Sequence, residues 1–214
     1  MPSGPTHPPG ESVQDHVAPG SSPTARRPGL PPAVLEKVRE RDPAALAAFF
    51  DRYFDQVYAT AHRLLGERAA AEDVTQEVFY KVHRAAHQLD PARDPAPWLA
   101  AITYNACRDL WRTAEHRLAK KSGSIEDDPA LAGRLTSGVN DPERDLLADE
   151  RRRLVQDAVN RLPEPLRTSV VLFEYGGMNH QEIAELIGVN HAAARKRYSR
   201  ALALLATMLK ETLG

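Results

Sequence analysis

The chain of 214 residues carries 28 Lys and Arg against 29 Asp and Glu, which gives a formal net charge of −1 at pH 7. This balance excludes a uniformly basic nucleic-acid binder, so any nucleic-acid binding must come from local patches. The length and the 42% hydrophobic content suffice for one or two soluble domains, and no apolar run is long enough to span a membrane.

The N-terminal segment has the composition of a flexible arm. Residues 1–32 are rich in Pro, Gly and Ser and poor in large apolar residues, and they lack the apolar core of a secretory signal. The single cysteine, Cys107, excludes an internal disulfide and fits a reducing cytoplasm. We therefore predict a disordered N-terminal extension on a cytoplasmic protein, with Cys107 as a small buried apolar group.

Helical periodicity divides the rest of the chain into two parts. It covers residues 33–113, gives way to a Gly-, Ser- and Asp-containing linker over 114–140, and resumes over 141–214 with Asp141 as N-cap and Pro142 at the first helical position. No stretch alternates as a strand would. We predict an all-α protein of two small helical domains joined by a flexible linker.

The stretch "AAAEDVTQEVFYKVHRAAH" forms an informative helical wheel. Its predicted buried side consists of Val74, Val78, Val82 and Ala85, widened by Phe79. Its predicted outward side consists of Asp73, Gln76, Glu77 and Tyr80. A solvated acidic face is the simpler interpretation, and a docking surface for a basic partner is the functional one.

The stretch "PWLAAITYNACRDLWR" forms a second wheel. Its predicted inward side consists of Leu99, Ile102, Ala106 and Leu110. Its predicted outward side consists of Tyr104, Asn105, Arg108 and Arg112, with Trp111 at the margin. Aromatic rings beside Arg suit single-stranded nucleic acid, because bases stack on rings while guanidinium groups hold phosphates. The preceding loop, "HQLDPARDPAP", would then form a rim for an extruded base, and Trp98 is interpreted as a packing anchor.

Two short helices follow near the C-terminus. Asn179 and Glu182 have capping-box spacing, so a helix should begin at His180. Gly188 has the backbone freedom to end that helix, and Asn190 can cap the next. Two short helices joined across a Gly turn describe a helix-turn-helix unit.

The second of these helices carries basic residues and no acid on the face opposite its core. The predicted core face consists of Ala194, Tyr198, Ala201, Leu202, Leu205 and Leu209. The opposite face consists of Ala192, Ala193, Lys196 and Arg200, flanked by Arg195 and Arg197. Such a face could enter a DNA major groove, with the short alanines close to base edges and the arginines on phosphates. A solvated basic face is the alternative, but the caps, the glycine and the acid-free helix together favour DNA binding.

Taken together, these stretches resemble the extracytoplasmic-function (group 4) sigma factors of bacterial RNA polymerase, in the sigma-70 superfamily. The resemblance is carried by "LAAFFDRYFDQVYATAHRLLG", "AEDVTQEVF", "WLAAITYNACRDLWR", "LPEPLRTSVVLFEYGGMNHQEIAEL" and "LIGVNHAAARKRYSRAL", in the family's order. It implies that residues 33–113 form sigma region 2, which binds core polymerase and reads and melts the −10 promoter element. It implies that residues 141–214 form region 4, which reads the −35 element.

The resemblance also implies partners and positions. Asp73, Gln76 and Glu77 fall at positions that dock on the clamp helices of the largest polymerase subunit, and region 4 contacts the β flap. Asn105, Arg108 and Arg112 fall in the −10 helix, whereas Lys196, Arg197 and Arg200 fall in the −35 reader. An anti-sigma factor is the expected inhibitor. Two features depart from the family: Ala192, Ala193 and Ala194 stand where Gly-Thr-Val is usual, and the arm before Ala33 is longer than needed.

Two other functional classes fit the sequence less well. A helix-turn-helix regulator would need a ligand pocket or a dimerisation helix in its first domain, which the docking face and the Tyr104–Arg112 cluster do not provide. A metal-dependent enzyme could use His83 and His87, but no third ligand accompanies them and no H-E-x-x-H motif occurs. We expect no catalytic site, no metal and no cofactor.

Overall fold

A computed structural model describes residues 29–120 and 142–213. Over these residues the chain forms eight α-helices and a 3₁₀ turn at Ala86–Gln88, with no strand, which confirms the all-α prediction. The helices are α1 (Pro32–Arg39), α2 (Pro43–Leu65), α3 (Arg68–Ala85), α4 (Ala96–Lys120), α5 (Pro142–Arg161), α6 (Glu164–Glu174), α7 (His180–Ile187) and α8 (His191–Leu213). The N-terminal extension, most of the predicted linker and the Asp141 cap lie outside the described residues.

Helices α1 to α4 form the first bundle. The Asp42 side chain accepts a hydrogen bond from the Ala45 amide at 2.9 Å and so begins α2, and Gly66 ends it in the left-handed region at φ 76°. The core contains Phe49 and Tyr53 of α2, with ring centroids 4.7 Å apart. These pack against the predicted valines of α3 and against Leu99 of α4, so that α2, α3 and α4 share one apolar interior.

Helices α5 to α8 form the second bundle, and its local signals behave as predicted. Asn179 caps α7 in a capping box with Glu182, Gly188 ends the helix at φ 71°, and the Asn190 side chain accepts from the Ala193 amide at 2.8 Å. Helix α5 begins at Pro142, as expected from the restricted φ of proline at a first helical position. Side-chain hydrogen bonds therefore fix the N-terminal ends of both α7 and α8.

The two bundles touch along α2. The Gln56 side-chain amide donates to the Tyr175 carbonyl at 3.0 Å, and the Arg63 guanidinium lies 3.9 Å from the centre of the Tyr175 ring. Gly176 packs so closely on Ala100 of α4 that a Cβ at Gly176 would lie 2.8 Å from the Ala100 Cβ. The turn after α6 is thus one of the places at which the second bundle meets the first, beside the packing of α5 and α6 on α2.

Candidate functional site

Helix α3 presents the polar face that its sequence predicts. Asp73, Gln76, Glu77 and Tyr80 are all exposed, and Tyr80 retains 62% of its accessible surface. The Glu77 carboxylate pairs with the Lys81 ammonium one turn later at 2.7 Å. The face therefore combines acids, an amide and an exposed ring, which suits a partner with both basic and apolar side chains.

An exposed aromatic patch borders this face on the α2 side. The Phe50 ring lies 4.7 Å from Phe79 and 5.0 Å from Phe54, centroid to centroid, and 43% of Phe50 is exposed. Sequence reasoning did not single out Phe50. The i, i+4 spacing of Phe50 and Phe54 was the available signal, because it places both rings on one helical face.

A groove of about 600 Å³ runs between α3 and α4 on the other side of the face. Its lining consists of Glu77, Tyr80, Lys81, Arg84, Ala85, Gln88, Trp98, Ile102 and Asn105. The Arg84 guanidinium lies 5.9 Å from the Tyr80 ring centre, within reach of a cation–π contact. Sequence analysis had treated the two helices separately and so missed Lys81, Arg84 and Gln88, which become neighbours of Trp98 and Asn105 only when the helices pack.

Helix α4 confirms part of its predicted outward face. Arg108 and Arg112 are exposed, while Asn105 and Trp111 are half-buried. The placement of Tyr104 on the outward face is wrong, because only 7% of Tyr104 is exposed and its ring meets Trp111 edge-on at 6.4 Å.

Leu110 is the second correction on α4. It was predicted to point inward but is 39% exposed. The buried stripe of α4 is centred on Thr103 and Cys107, both fully buried, rather than on the Leu99–Leu110 line. The reason is that α4 packs on α2 and α3 and also meets the second bundle at Ala100, which rotates its buried side toward Tyr104.

Charges from both bundles surround Tyr104. Burial raises the pKa of the Tyr104 phenol, and the Glu164 carboxylate of α6 acts in the same direction. Arg108 and, from α8, Arg197 oppose them by favouring the phenolate. The geometry agrees, because Ala100, one turn before Tyr104 on α4, lies against Gly176 of the second bundle.

Helix α8 presents the predicted basic face. Ala192, Arg195, Lys196 and Arg200 are exposed, whereas Ala193 and Arg197 are half-buried. On the opposite side Ala194 and Ala201 are fully buried. Leu202 is a correction, because it was predicted to lie in the core but 42% of it is exposed. Leu202 directly follows the fully buried Ala201 and so lies about 100° around the helix from it, away from the buried side.

An aromatic cluster fixes α8 on the helices beneath it. The Phe173 ring lies 4.6 Å from His180 and 4.5 Å from Tyr198, and the Tyr198 hydroxyl donates to Glu174 at 2.6 Å. Burial raises the pKa of Tyr198, and the hydrogen bond to Glu174 acts in the same direction. Helix α8, which presents the basic face, is thus held against α6 and α7 by these ring contacts and by the Tyr198–Glu174 hydrogen bond.

The described residues offer no evident metal or nucleophile site. His83 lies in α3 and His87 in the following 3₁₀ turn, both exposed, and the described residues contain no group of three His, Cys, Asp or Glu that could hold a metal ion. Cys107 is fully buried, and burial raises the pKa of its thiol to about 12. A thiol in this environment is a poor nucleophile, as the prediction of a buried apolar group implies.

Two family models match the chain, one on each bundle. Residues 49–117 match sigma-70 region 2, and residues 152–205 match sigma-70 region 4. The first range contains the α3 face and the α4 cluster, and the second contains α7 and α8.

Curated relatives match across both bundles. The chain is 30% identical over 167 residues to the ECF RNA polymerase sigma factor SigK of Mycobacterium sp. (strain KMS), covering 77% of this chain and 82% of the relative. It is 29% identical over 171 residues to the ECF RNA polymerase sigma-E factor of Haemophilus influenzae, covering 79% of this chain and 89% of the relative.

Solved structures share the fold at lower identity. The sigma factor RpoE of Bartonella quintana, solved in complex with the anti-sigma factor NepR, matches with a TM-score of 0.60 at 18% identity, covering 77% of this chain and 96% of that one. CnrH, solved in complex with the cytosolic domain of CnrY, matches with a TM-score of 0.55 at 21% identity, covering 85% of this chain and 97% of that one.

Proposed function

The chain belongs to the ECF sigma factors of RNA polymerase, and from that premise we propose which of its surfaces performs each step of initiation. As a sigma factor it binds core RNA polymerase and directs it to specific promoters. Sigma factors act as transcription regulators, and we propose that the chain has no catalytic activity of its own. Within residues 29–120 and 142–213, no helix is suited to crossing a membrane.

We propose that the α3 face docks on the clamp helices of the largest polymerase subunit. The observation that supports this is the joint exposure of Asp73, Gln76, Glu77 and Tyr80 on one side of α3. Exposed acids steer a basic partner, and the adjoining Phe50 patch supplies apolar area that a polar face alone lacks.

The exposed side of α4 and the groove beside it are proposed to hold the −10 element. Arg108 and Arg112 would contact phosphates, and Asn105 would contact a base edge. An unstacked base from the opened strand would enter the groove toward Tyr80 and Trp98. Tyr104 and Trp111 remain candidates for the −10 element, although Tyr104 must first become accessible.

Helix α8 is proposed to read the −35 element in the major groove. Ala192 and Ala193 let the helix backbone approach the bases, Lys196 is the candidate for a base acceptor, and the flanking arginines 195, 197 and 200 bind phosphates. The same bundle is proposed to contact the polymerase β flap. We place region 2 at 33–113 and region 4 at 141–214.

An anti-sigma factor is proposed as an additional partner, because RpoE of Bartonella quintana was solved with one. Its binding would compete with polymerase for the exposed faces. A protein that meets polymerase and promoters is proposed to act in the cytoplasm.

Run-off transcription with purified core polymerase and a genomic promoter library tests the function. We expect specific transcripts only when the chain is added, and their start sites define both promoter elements. A regulator of the helix-turn-helix type cannot initiate with core enzyme alone, so the absence of any transcript would favour that rival.

The docking assignment predicts the effect of charge reversal on α3. Asp73→Arg combined with Glu77→Arg should weaken core-polymerase binding by at least about tenfold, because it places like charges against a basic partner. Binding is measured by co-purification and by titration with labelled core enzyme.

The matched control reverses two exposed acids on α1, Glu36→Arg with Glu40→Arg, which changes the net charge equally. If both double variants lost polymerase binding equally, the loss would be explained by net charge alone. The α3 face would then have no specific part in docking.

A further inference from the structure

Helices α7 and α8 both begin with a histidine, and the fold brings the two side chains together. His180 is the first residue of α7, and His191 is the first residue of α8. Their ring centroids lie 6.2 Å apart, with one ring edge-on to the other. We call His180 and His191 the histidine pair.

Aromatic rings hold His180 in place on its other sides. Its ring stacks on Phe173 of α6 at 4.6 Å between centroids and lies 5.1 Å from the ring of Tyr198. His191, in contrast, is exposed. The histidine pair therefore consists of one ring that packing fixes and one ring that solvent, or a ligand, can reach.

The histidine pair adjoins the basic face of α8. Arg195 lies one turn after His191 on the same side of the helix, and both are exposed. Ala192, which is proposed to approach the bases, directly follows His191. The pair thus lies at the N-terminal edge of the proposed −35 surface, and phosphates flank the bases that such a helix reads.

Positive groups act on His180 in the free chain. Burial lowers the pKa of His180, and the nearby His191 and Arg195 lower it further. Like charges disfavour the charged form of an ionisable group, and no carboxylate is among the groups that shift this pKa. The free chain therefore keeps His180 neutral near pH 7.

The acids of the surrounding helices are engaged in hydrogen bonds within the second bundle. Helix α8 carries no acid before Glu211. In α6 and α7 each acidic side chain accepts a hydrogen bond: Glu164 from Thr168, Glu174 from Tyr198, Glu182 from the Asn179 amide and Glu185 from Gln181. An anion that arrived from outside would therefore be the counter-charge of the histidine pair.

A DNA phosphate is the anion that this position would meet. A phosphodiester carries a negative charge, and an opposite charge within about 4–6 Å favours the charged form of an ionisable group. The ordinary pKa of a histidine, about 6.5, is close enough to neutrality for such a contact to change its protonation. DNA binding would then be coupled to proton uptake, and by linkage the affinity rises as the pH falls.

We propose that a backbone phosphate of the −35 element binds at His191 and Arg195, beside His180, and that the histidine pair takes up a proton on binding. The proposal rests on the proposed reading of the −35 element by α8. The affinity of the holoenzyme for this element increases as the pH falls from 8 to 6, by at most about tenfold per pH unit for one fully linked proton.

Filter binding of the holoenzyme to promoter DNA at several pH values and constant ionic strength tests this. His180→Phe keeps a ring against Phe173, and His191→Gln keeps a polar side chain that does not titrate. The ratio of wild-type affinity to that of the double variant should rise by at least about threefold between pH 8 and pH 6. The ratio removes the pH dependence of polymerase itself, and a constant ratio would overturn the proposal.

The matched control removes two exposed histidines of the first bundle, His83→Gln with His87→Gln. Neither residue belongs to a proposed polymerase or promoter surface, so this variant should follow the wild-type pH dependence. If it lost the pH dependence to the same extent as the double variant of the histidine pair, the position of the pair would have no part in the effect.

A fixed charge provides the second arm. His191→Arg places a permanent cation beside Arg195, so at pH 8 it should bind the −35 element about as tightly as wild type does at pH 6. Calorimetry in two buffers of different ionisation enthalpy measures the protons taken up, which should be fewer for His191→Arg than for wild type. Unchanged or weaker binding of His191→Arg at pH 8 would exclude the phosphate contact.

Circular dichroism reports whether the double variant folds. If it does not, His191→Arg decides alone, because its side chain is exposed. Failure of the proposed −35 function is distinguishable, since correct and scrambled −35 sequences would then bind equally at every pH. Failure of the histidine proposal would leave that discrimination intact while the affinity ratio stayed constant.

Discussion

His180, at the start of α7, makes the stability of the second bundle depend on pH. It begins α7, its ring stacks on Phe173, and its Nδ1 is buried without a hydrogen-bond partner. Burial lowers the pKa of His180 below its ordinary value, and the nearby His191 and Arg195 lower it further. The folded chain therefore resists protonation of His180 more than the unfolded chain does.

This sign predicts an acid-sensitive second bundle. The folded state gains stability from keeping His180 neutral, and this gain is complete above about 6.5, the pKa of His180 in the unfolded chain. The gain is lost progressively as the pH falls from that value toward the lower pKa of His180 in the folded chain. His180→Phe, which keeps a ring against Phe173, should lose less thermal stability than wild type between pH 8 and pH 5. Thermal melts across this range measure it, with His83→Phe as an exposed control; identical pH slopes for wild type and His180→Phe would contradict the assignment.

Tyr104 shows why a helical wheel could not predict the buried side of α4 correctly. A helical wheel assumes one buried side, and the apolar residues Leu99, Ile102 and Leu110 appeared to define it. The helix in fact has neighbours on two sides, because the second bundle meets it at Ala100. No local pattern in "WLAAITYNACRDLWR" encodes a contact with residues more than sixty positions away.

At the scale of the element, the turn between α7 and α8 depends on Gly188. Its φ is 71°, and an added Cβ would meet nothing within 4 Å, so any cost of substitution comes from the backbone conformation alone. Gly188→Ala should lower the free energy of unfolding by about 1 kcal/mol, whereas Gly188→Asn should lower it less, because Asn tolerates the left-handed region. Chemical denaturation measures both, and an Ala variant as stable as wild type would contradict this view of the turn.

Elements held by local interactions were the ones the sequence predicted well. The Asn179–Glu182 box, the Gly188 end and the Asn190 cap each join groups that are four or fewer positions apart. The α3 face was equally accessible to prediction, because its valines repeat every four residues. The α3–α4 groove was not, since its walls come from two helices whose packing the wheels do not specify.

At the scale of the whole molecule, the proposed DNA binding by α8 predicts a measurable dependence of affinity on salt concentration. Arg200→Ala should weaken −35 binding by the holoenzyme and reduce the slope of log affinity against log salt by about 1, as expected for one lost phosphate contact. Lys196→Ala should instead weaken binding to the correct −35 sequence by about tenfold and affect a scrambled one less. Filter binding at several salt concentrations measures both, with Lys210→Ala as the control at the far end of α8. Equal losses on correct and scrambled −35 DNA would remove the base-reading role of Lys196.

The meeting of the two bundles lay beyond sequence prediction. Gln56 and Tyr175 are 119 positions apart, and neither belongs to a repeating apolar pattern that would predict a second contact surface. The composition of residues 114–140 indicated a linker but not whether the parts it joins touch. Only the tertiary geometry reveals the contact between the two bundles.

The buried hydroxyls of the first bundle determine how readily the molecule can rearrange. Thr60, Thr75 and Thr103 each donate to a carbonyl of their own helix one turn earlier, at 2.6 to 2.8 Å. Each of these three hydroxyls donates within its own helix. Moving whole helices relative to one another therefore leaves none of them buried without a hydrogen-bond acceptor. Among the described residues, separating the two bundles would break the hydrogen bond from Gln56 to the Tyr175 carbonyl and the contact of Arg63 with the Tyr175 ring, together with apolar packing.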